Sequence, residues 1–201
     1  MLKILFPVIA ICIFFSNLSY ADSPLTSTTF YEVYSDYEIV KKASESGVMN
    51  EEFANYLHSK DNPIDVKAAL INALGWDIDG KYNAEIYCSI VFYKNVKEIN
   101  KMNLSGDELF CIGYMQVLDD YFNPEKGTPF LNKAVKKLKS SYTVAIINAL
   151  AEAQKAMDDD WCEVWKLIKN VNSNENIEKD MREEATDIIL DYMRGYEEYC
   201  K

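Results

Sequence analysis

The chain has 201 residues, of which 32 are acidic and 21 basic, giving a formal net charge of −11 with a single histidine. So acidic a balance excludes a nucleic-acid binder, whose affinity rests on Lys and Arg at phosphates, and argues equally against docking on an anionic membrane. The length suits one domain with its own core.

Residues 1–21 read as a cleaved secretory signal. Lys3 precedes the apolar run "ILFPVIAICIFF", and Ser19 and Ala21 stand at the −3 and −1 positions of a cleavage site before Asp22. The run is shorter than the about 20 residues a membrane span needs, and no later segment is long and apolar enough to cross a bilayer. Removing residues 1–21 takes away one base and no acid, so the mature chain, 22–201, is more acidic still. The polar start "DSPLTST" predicts a loose N-terminus as far as Ser27.

After the leader the dominant pattern is helical. The tyrosine-rich "TTFYEVYSDY" alternates like a strand, but Ile39, Val40 and Ala43 favour a short helix after it. "NEEFANYLHS" reads as another, with Asn50 as its cap. Apolar groups then recur at helical spacing in seven stripes. They run from Val66 to Leu74, Ile86 to Val91, Phe110 to Tyr121, Phe130 to Leu138, Tyr142 to Met157, Trp161 to Ile168, and Met181 to Tyr192. Breakers separate them: Asn62-Pro63, Gly75 as a C-cap, Asn123-Pro124 as a cap with proline in the first turn, and "NVNSNEN" before the last stripe. The expectation is an all-α fold of seven helices preceded by one or two short ones.

Two of these helices repeat a word. "INALGWDID" starts at Ile71 and "INALAEAQKAMDDDW" at Ile147. Leu74, Leu118, Leu150 and Leu190 lie near the ends of alternate helices at intervals of roughly 30–45 residues, the length of a two-helix repeat. "DVKAALINALG", Asp65 to Gly75, resembles the second helix of a HEAT-type repeat, with its acid, Val, basic residue, alanines and closing Ala-Leu-Gly. The resemblance implies a single domain of stacked antiparallel helix pairs, an α-solenoid whose surfaces bind proteins and which has no common catalytic site. An irregular helical bundle is the alternative.

Four cysteines follow the leader: Cys88, Cys111, Cys162 and Cys200. In an exported chain they predict two disulfides, with three connectivities open; antiparallel packing of neighbouring helices favours Cys88 with Cys111 and leaves Cys162 with Cys200. No Cys-x-x-Cys is present, and one histidine cannot build a zinc site. Around Gly80, Asp77 and Asp79 occupy EF-hand positions 3 and 5, but the anchor positions 1 and 12 fall on Gly75 and Ile86, so the calcium motif fails. No cofactor or metal is expected.

Chemistry for catalysis is equally sparse. His58 stands at a helix end, where it favours the dipole. Glu85, between Ala84 and Ile86, is the nearest candidate for an acid in an apolar setting. What does recur is acid beside aromatic at the turns: Trp76 with Asp77 and Asp79, Asp119 and Asp120 with Tyr121 and Phe122, and Asp158, Asp159 and Asp160 with Trp161. Acids at helix C-termini oppose the macrodipole by about 0.3–1 kcal/mol each, so something should offset them. Asp79 and Asp160 are expected to cap the following helices, and Trp76 and Trp161 to be core. Asp77, Asp119, Asp120, Asp158 and Asp159 are read as an edge that binds a basic protein surface. The function expected is an exported, periplasmic or secreted, non-enzymatic binding protein of immunity or inhibitor type. The alternatives are a carboxylate-dependent cell-wall hydrolase and a structural adaptor in an envelope assembly.

Overall fold

The computed structural model describes residues 23–201. The expected leader, its cleavage point and Asp22 lie outside them. Among the described residues there are nine α-helices, four short 3-10 segments and no strand. The first two helices are the short ones, α1 (Glu38–Ser46) and α2 (Glu51–His58), and a 3-10 turn at Tyr31–Tyr34 precedes them. The seven stripes become α3 (Ile64–Leu74), α4 (Asn83–Phe92), α5 (Gly106–Asp119), α6 (Thr128–Lys137), α7 (Tyr142–Ala156), α8 (Trp161–Asn172) and α9 (Glu183–Met193).

Local chemistry sets most of the boundaries. Asn50 caps α2 by accepting the Phe53 N–H at 2.9 Å. Pro63 sits just ahead of α3, which ends at Gly75 with φ 68°. Ser105 and Glu108 form a reciprocal capping box on α5, and Ser141 caps α7 through the Val144 N–H. One expected cap is corrected. Asn123-Pro124 opens only a 3-10 turn, Pro124–Lys126, and α6 starts at Thr128; the Asn123 amide donates back to Asp120 instead.

Helices α3, α5 and α7 pack against one another in the middle of the molecule, and the rest surround them. This placement revises the one-face reading of their stripes. Every residue of α3 from Val66 to Leu74 is buried, Lys67 and Asn72 included, and α5 is buried from Leu109 to Met115. Polar groups so enclosed need partners. Lys67 pairs with Asp107 at 2.5 Å. Asn72 accepts the N–H groups of Phe30 and Tyr31 at 2.9 and 3.0 Å and donates to the Tyr114 hydroxyl at 3.0 Å. Close approach of α5 to α6 depends on Gly113, where a Cβ would lie 2.8 Å from Leu131 Cγ.

The segment before α1 meets the start of α9. The Arg182 guanidinium makes a paired contact with Asp36 at 2.7 and 2.8 Å and also donates to the Val33 carbonyl at 2.7 Å. Its backbone N–H donates to the Tyr34 hydroxyl at 3.0 Å. The start of α9 thereby docks on the segment before α1, and the helices close on themselves. The N-terminal stretch is not loose either: from Ser23 onward it forms a bend in which Thr28 Oγ1 donates to the Pro24 carbonyl at 2.6 Å and Leu25 is buried.

The cysteines pair differently from the leading expectation. Cys162 and Cys200 are joined, with Cα atoms 4.7 Å apart, tying α8 to the C-terminal 3-10 segment Arg194–Tyr199. Cys88 and Cys111 are free and buried. Although α4 and α5 are neighbours, Cys111 faces α2, with its thiol 3.9 Å from the Leu57 carbonyl oxygen. Burial pushes both free thiols up to about 12, so they behave as small apolar groups.

Candidate functional site

The acidic edge assembles from three connections. The first follows α3. Asp77 accepts the Asp79 N–H at 3.0 Å and its carbonyl accepts the Gly80 N–H at 3.0 Å, folding a tight turn. Gly80 has φ 80°, and a Cβ there would sit 3.0 Å from the Asp119 carbonyl oxygen, so glycine is required both for conformation and for room. Lys81 closes the loop: its N–H donates to Asp119 O at 2.8 Å, and its ammonium donates to the Leu74 carbonyl at 2.6 Å, satisfying an open end of α3.

Asp119 is not an edge residue, which corrects that part of the expected site. It is only 8 % exposed. Its carboxylate accepts the Asn83 N–H at 3.1 Å and the Ala84 N–H at 2.8 Å, capping α4 from the end of α5. Burial raises its carboxyl to about 6 against the pull of those two N–H groups. Asp79, expected to cap α4, is exposed and does not do so.

Asp120 remains at the surface but is engaged. It accepts from the Asn123 amide at 2.9 Å and pairs with the Lys126 ammonium, which holds its carboxyl below the usual range. Asp158 and Asp159 are exposed beyond the end of α7, while Asp160 caps α8 as expected, accepting from Cys162 and Glu163 at 2.9 and 3.2 Å. Trp76 is partly buried and meets the Tyr121 ring edge-on at 5.1 Å. Trp161 departs from its expected core role: it is 44 % exposed, its indole N–H donating to the Met157 carbonyl at 2.7 Å. As the first residue of α8 it sits at the surface end, with the apolar stripe buried from Val164 onward.

Two open clefts flank the α5–α6 connection. One, of about 340 Å³, is lined by Ile78, Lys81, Tyr82, Glu85, Asp120 and Lys126 among others. The other, of about 300 Å³, lies between Phe122, Glu125, Lys155 and Asp158. Ile78, Tyr82 and Phe122 are 64, 73 and 64 % exposed, so apolar surface is interleaved with the acids. Phe122 belongs to the acid-and-aromatic pattern read from the sequence; Ile78 and Tyr82 were missed, although Ile78 carries a signal as a large apolar residue beyond the end of its helical stripe. The remaining catalytic candidates have local partners. Glu85 accepts the Val96 N–H at 2.9 Å, and His58 Nδ1 lies 3.4 Å from Glu108 Oε1 at the end of α2. Among the described residues no three His, Cys, Asp or Glu side chains converge as a metal-ligand group.

Chemically the edge presents the exposed carboxylates of Asp77, Asp79, Asp158 and Asp159 and protruding apolar groups, beside the cations Lys81, Lys126 and Lys155. The chain matches no protein-family model, no curated protein and no solved structure.

Proposed function

We propose that this is an exported, non-enzymatic protein-binding module of immunity or inhibitor type, acting in the periplasm or outside the cell, in which helix pairs of HEAT kind fold back into a closed bundle. The observation that carries the reading is the edge itself. Three separate connections, after α3, α5 and α7, bring Asp79, Asp120, Asp158 and three exposed apolar side chains to the two clefts beside the α5–α6 connection, with Asp77 exposed in the same turn as Asp79. The disulfide and the leader-like residues 1–21 support an extracytoplasmic setting. The central placement of both Ile-Asn-Ala-Leu helices, each in contact with α5, supports the repeat origin.

The test is affinity capture on the mature chain from its own envelope fraction, at about 0.05 M and about 0.5 M salt, where screening differs strongly. An Asp77→Asn, Asp158→Asn, Asp159→Asn triple variant runs in parallel. A basic protein held by the wild type at low salt, and lost from the variant or at high salt, is the expected result. Equal capture by both forms removes the edge from the proposal, and reproducible peptidoglycan hydrolysis abolished by Glu85→Gln replaces it with the hydrolase reading.

A further inference from the structure

Aromatic rings concentrate at one further place on the surface. The C-terminal 3-10 segment lies along α8, and its Tyr196 and Tyr199 meet Trp161 edge-on. Ring centroids are 5.9 and 4.7 Å apart, with planes crossing at 71° and 74°. Tyr192 extends the set, 5.9 Å from Tyr196 at 70°. With Met157 and Gly195 these rings line a groove of about 220 Å³. Gly195 leaves it open, since a Cβ there would meet nothing within 4 Å. Trp161 and Tyr199 are 44 and 47 % exposed, leaving a patch of aromatic surface in water at a cost in free energy.

The groove is braced covalently. Cys162 follows Trp161 and Cys200 follows Tyr199, so the disulfide joins the neighbours of the two exposed rings. The hydrogen bond from the Trp161 indole to the Met157 carbonyl fixes the third side. A site held in this way loses little entropy when it binds.

Charge and lining chemistry narrow the ligand. Exposed acids stand on both sides in sequence, Asp158 and Asp159 before Trp161 and Glu197 and Glu198 before Tyr199, so a cation is drawn in. Yet no carboxylate lines the groove. A lysine ammonium or a guanidinium would enter with several N–H donors, and of the hydroxyls that line the groove Tyr192 and Tyr196 already bond each other at 3.0 Å, so a full set of acceptors is lacking. A quaternary ammonium carries its charge without any N–H, and aromatic faces attract it. The volume is below the roughly 300–1,000 Å³ of pockets for drug-sized ligands, which favours a small head group.

We propose that Trp161, Tyr196 and Tyr199, clamped by the Cys162–Cys200 bond, form a binding site for a small free quaternary ammonium solute of the choline type. This site is separate from the acidic edge and does not rest on the protein-binding reading.

The test is a titration of the oxidised chain with choline chloride at constant ionic strength, and in parallel with its neutral isostere 3,3-dimethylbutan-1-ol, followed by amide and indole NMR shifts. Choline should give saturable shifts at Trp161 and along residues 192–200, with the alcohol about tenfold weaker. Trp161→Ala and Tyr199→Ala should each weaken choline about tenfold, as should the paired Cys162→Ser, Cys200→Ser variant, with helix content by circular dichroism retained. If Trp161→Ala loses helix content, Tyr199→Ala decides. Equal affinity for the alcohol, unchanged binding in the ring variants, no saturable shift, or binding to phosphatidylcholine vesicles without binding to free choline each overturns the proposal.

Discussion

Helices α3 and α7 both read Ile-Asn-Ala-Leu and lie side by side at the centre, yet their asparagines have different fates. Asn72 is buried and ties the segment before α1 to α5 through Phe30, Tyr31 and Tyr114. Asn148 is partly exposed and donates only to Asn132 on α6, at 3.2 Å. The turns that follow differ in the same sense. After α3, Lys81 is drawn into the fold and the turn packs on Asp119, which caps α4 from the end of α5, while Asp77 and Asp79 stay exposed. After α7, Asp160 alone is used as a cap, and Asp158, Asp159 and Trp161 face water. A repeated word therefore specifies a helix and its apolar contacts, while the neighbours it meets decide what its polar letters do.

The sharpest test of this contrast is to remove each asparagine. Asn72→Ala leaves two buried N–H groups and a hydroxyl without partners and should cost about 3–5 kcal/mol, whereas Asn148→Ala should stay within about 0.5 kcal/mol. Urea unfolding of both variants checks this, and similar losses would mean that the two copies are equivalent after all.

The α7 side has a staple that the α3 side lacks. Removing the Cys162–Cys200 bond by paired serine substitution should cost about 2–4 kcal/mol. The buried thiols of Cys88 and Cys111 should stay unreactive toward Ellman's reagent until the chain unfolds, because burial holds them up near 12. Rapid labelling of either thiol in the native protein would contradict the packing described.

A third comparison uses pH. The Asp119 carboxyl sits at about 6 in the fold against an ordinary 3.8, so between those values the folded chain keeps a proton that the unfolded chain releases. This group's contribution is most favourable below about 4 and is lost as pH rises to about 6, a swing of about 2–3 kcal/mol. Asp119→Asn should abolish that component in unfolding measured at about pH 4 and about pH 7. The exposed pair after α7 gives the smallest effect. Asp158→Asn with Asp159→Asn should change stability by less than about 0.5 kcal/mol, upward if at all, because two charges opposing the α7 dipole are removed. A loss above about 2 kcal/mol would mean that these acids are structural, as Asp119 is.

Helix count and most helix ends were legible in the residues, as were the caps Asn50, Gly75 and Asp160. The edge was legible only in part. Asp77, Asp120, Asp158 and Asp159 do reach the surface, but Asp119 looked the same in the sequence and is buried. Trp161 looked like core because it begins an apolar stripe, and its position at the outer end of α8 reverses that. Helical periodicity, capping and turn chemistry act between residues within about four positions of one another, so the residues alone determined them. The partners of Asp119, Asn72, Cys162 and Arg182 lie between 35 and 149 positions away. Only the packing of α3, α5 and α7, and the docking of the late helices on the segment before α1, decided which acids were taken in as caps, which cysteines met and which aromatic rings remained in water.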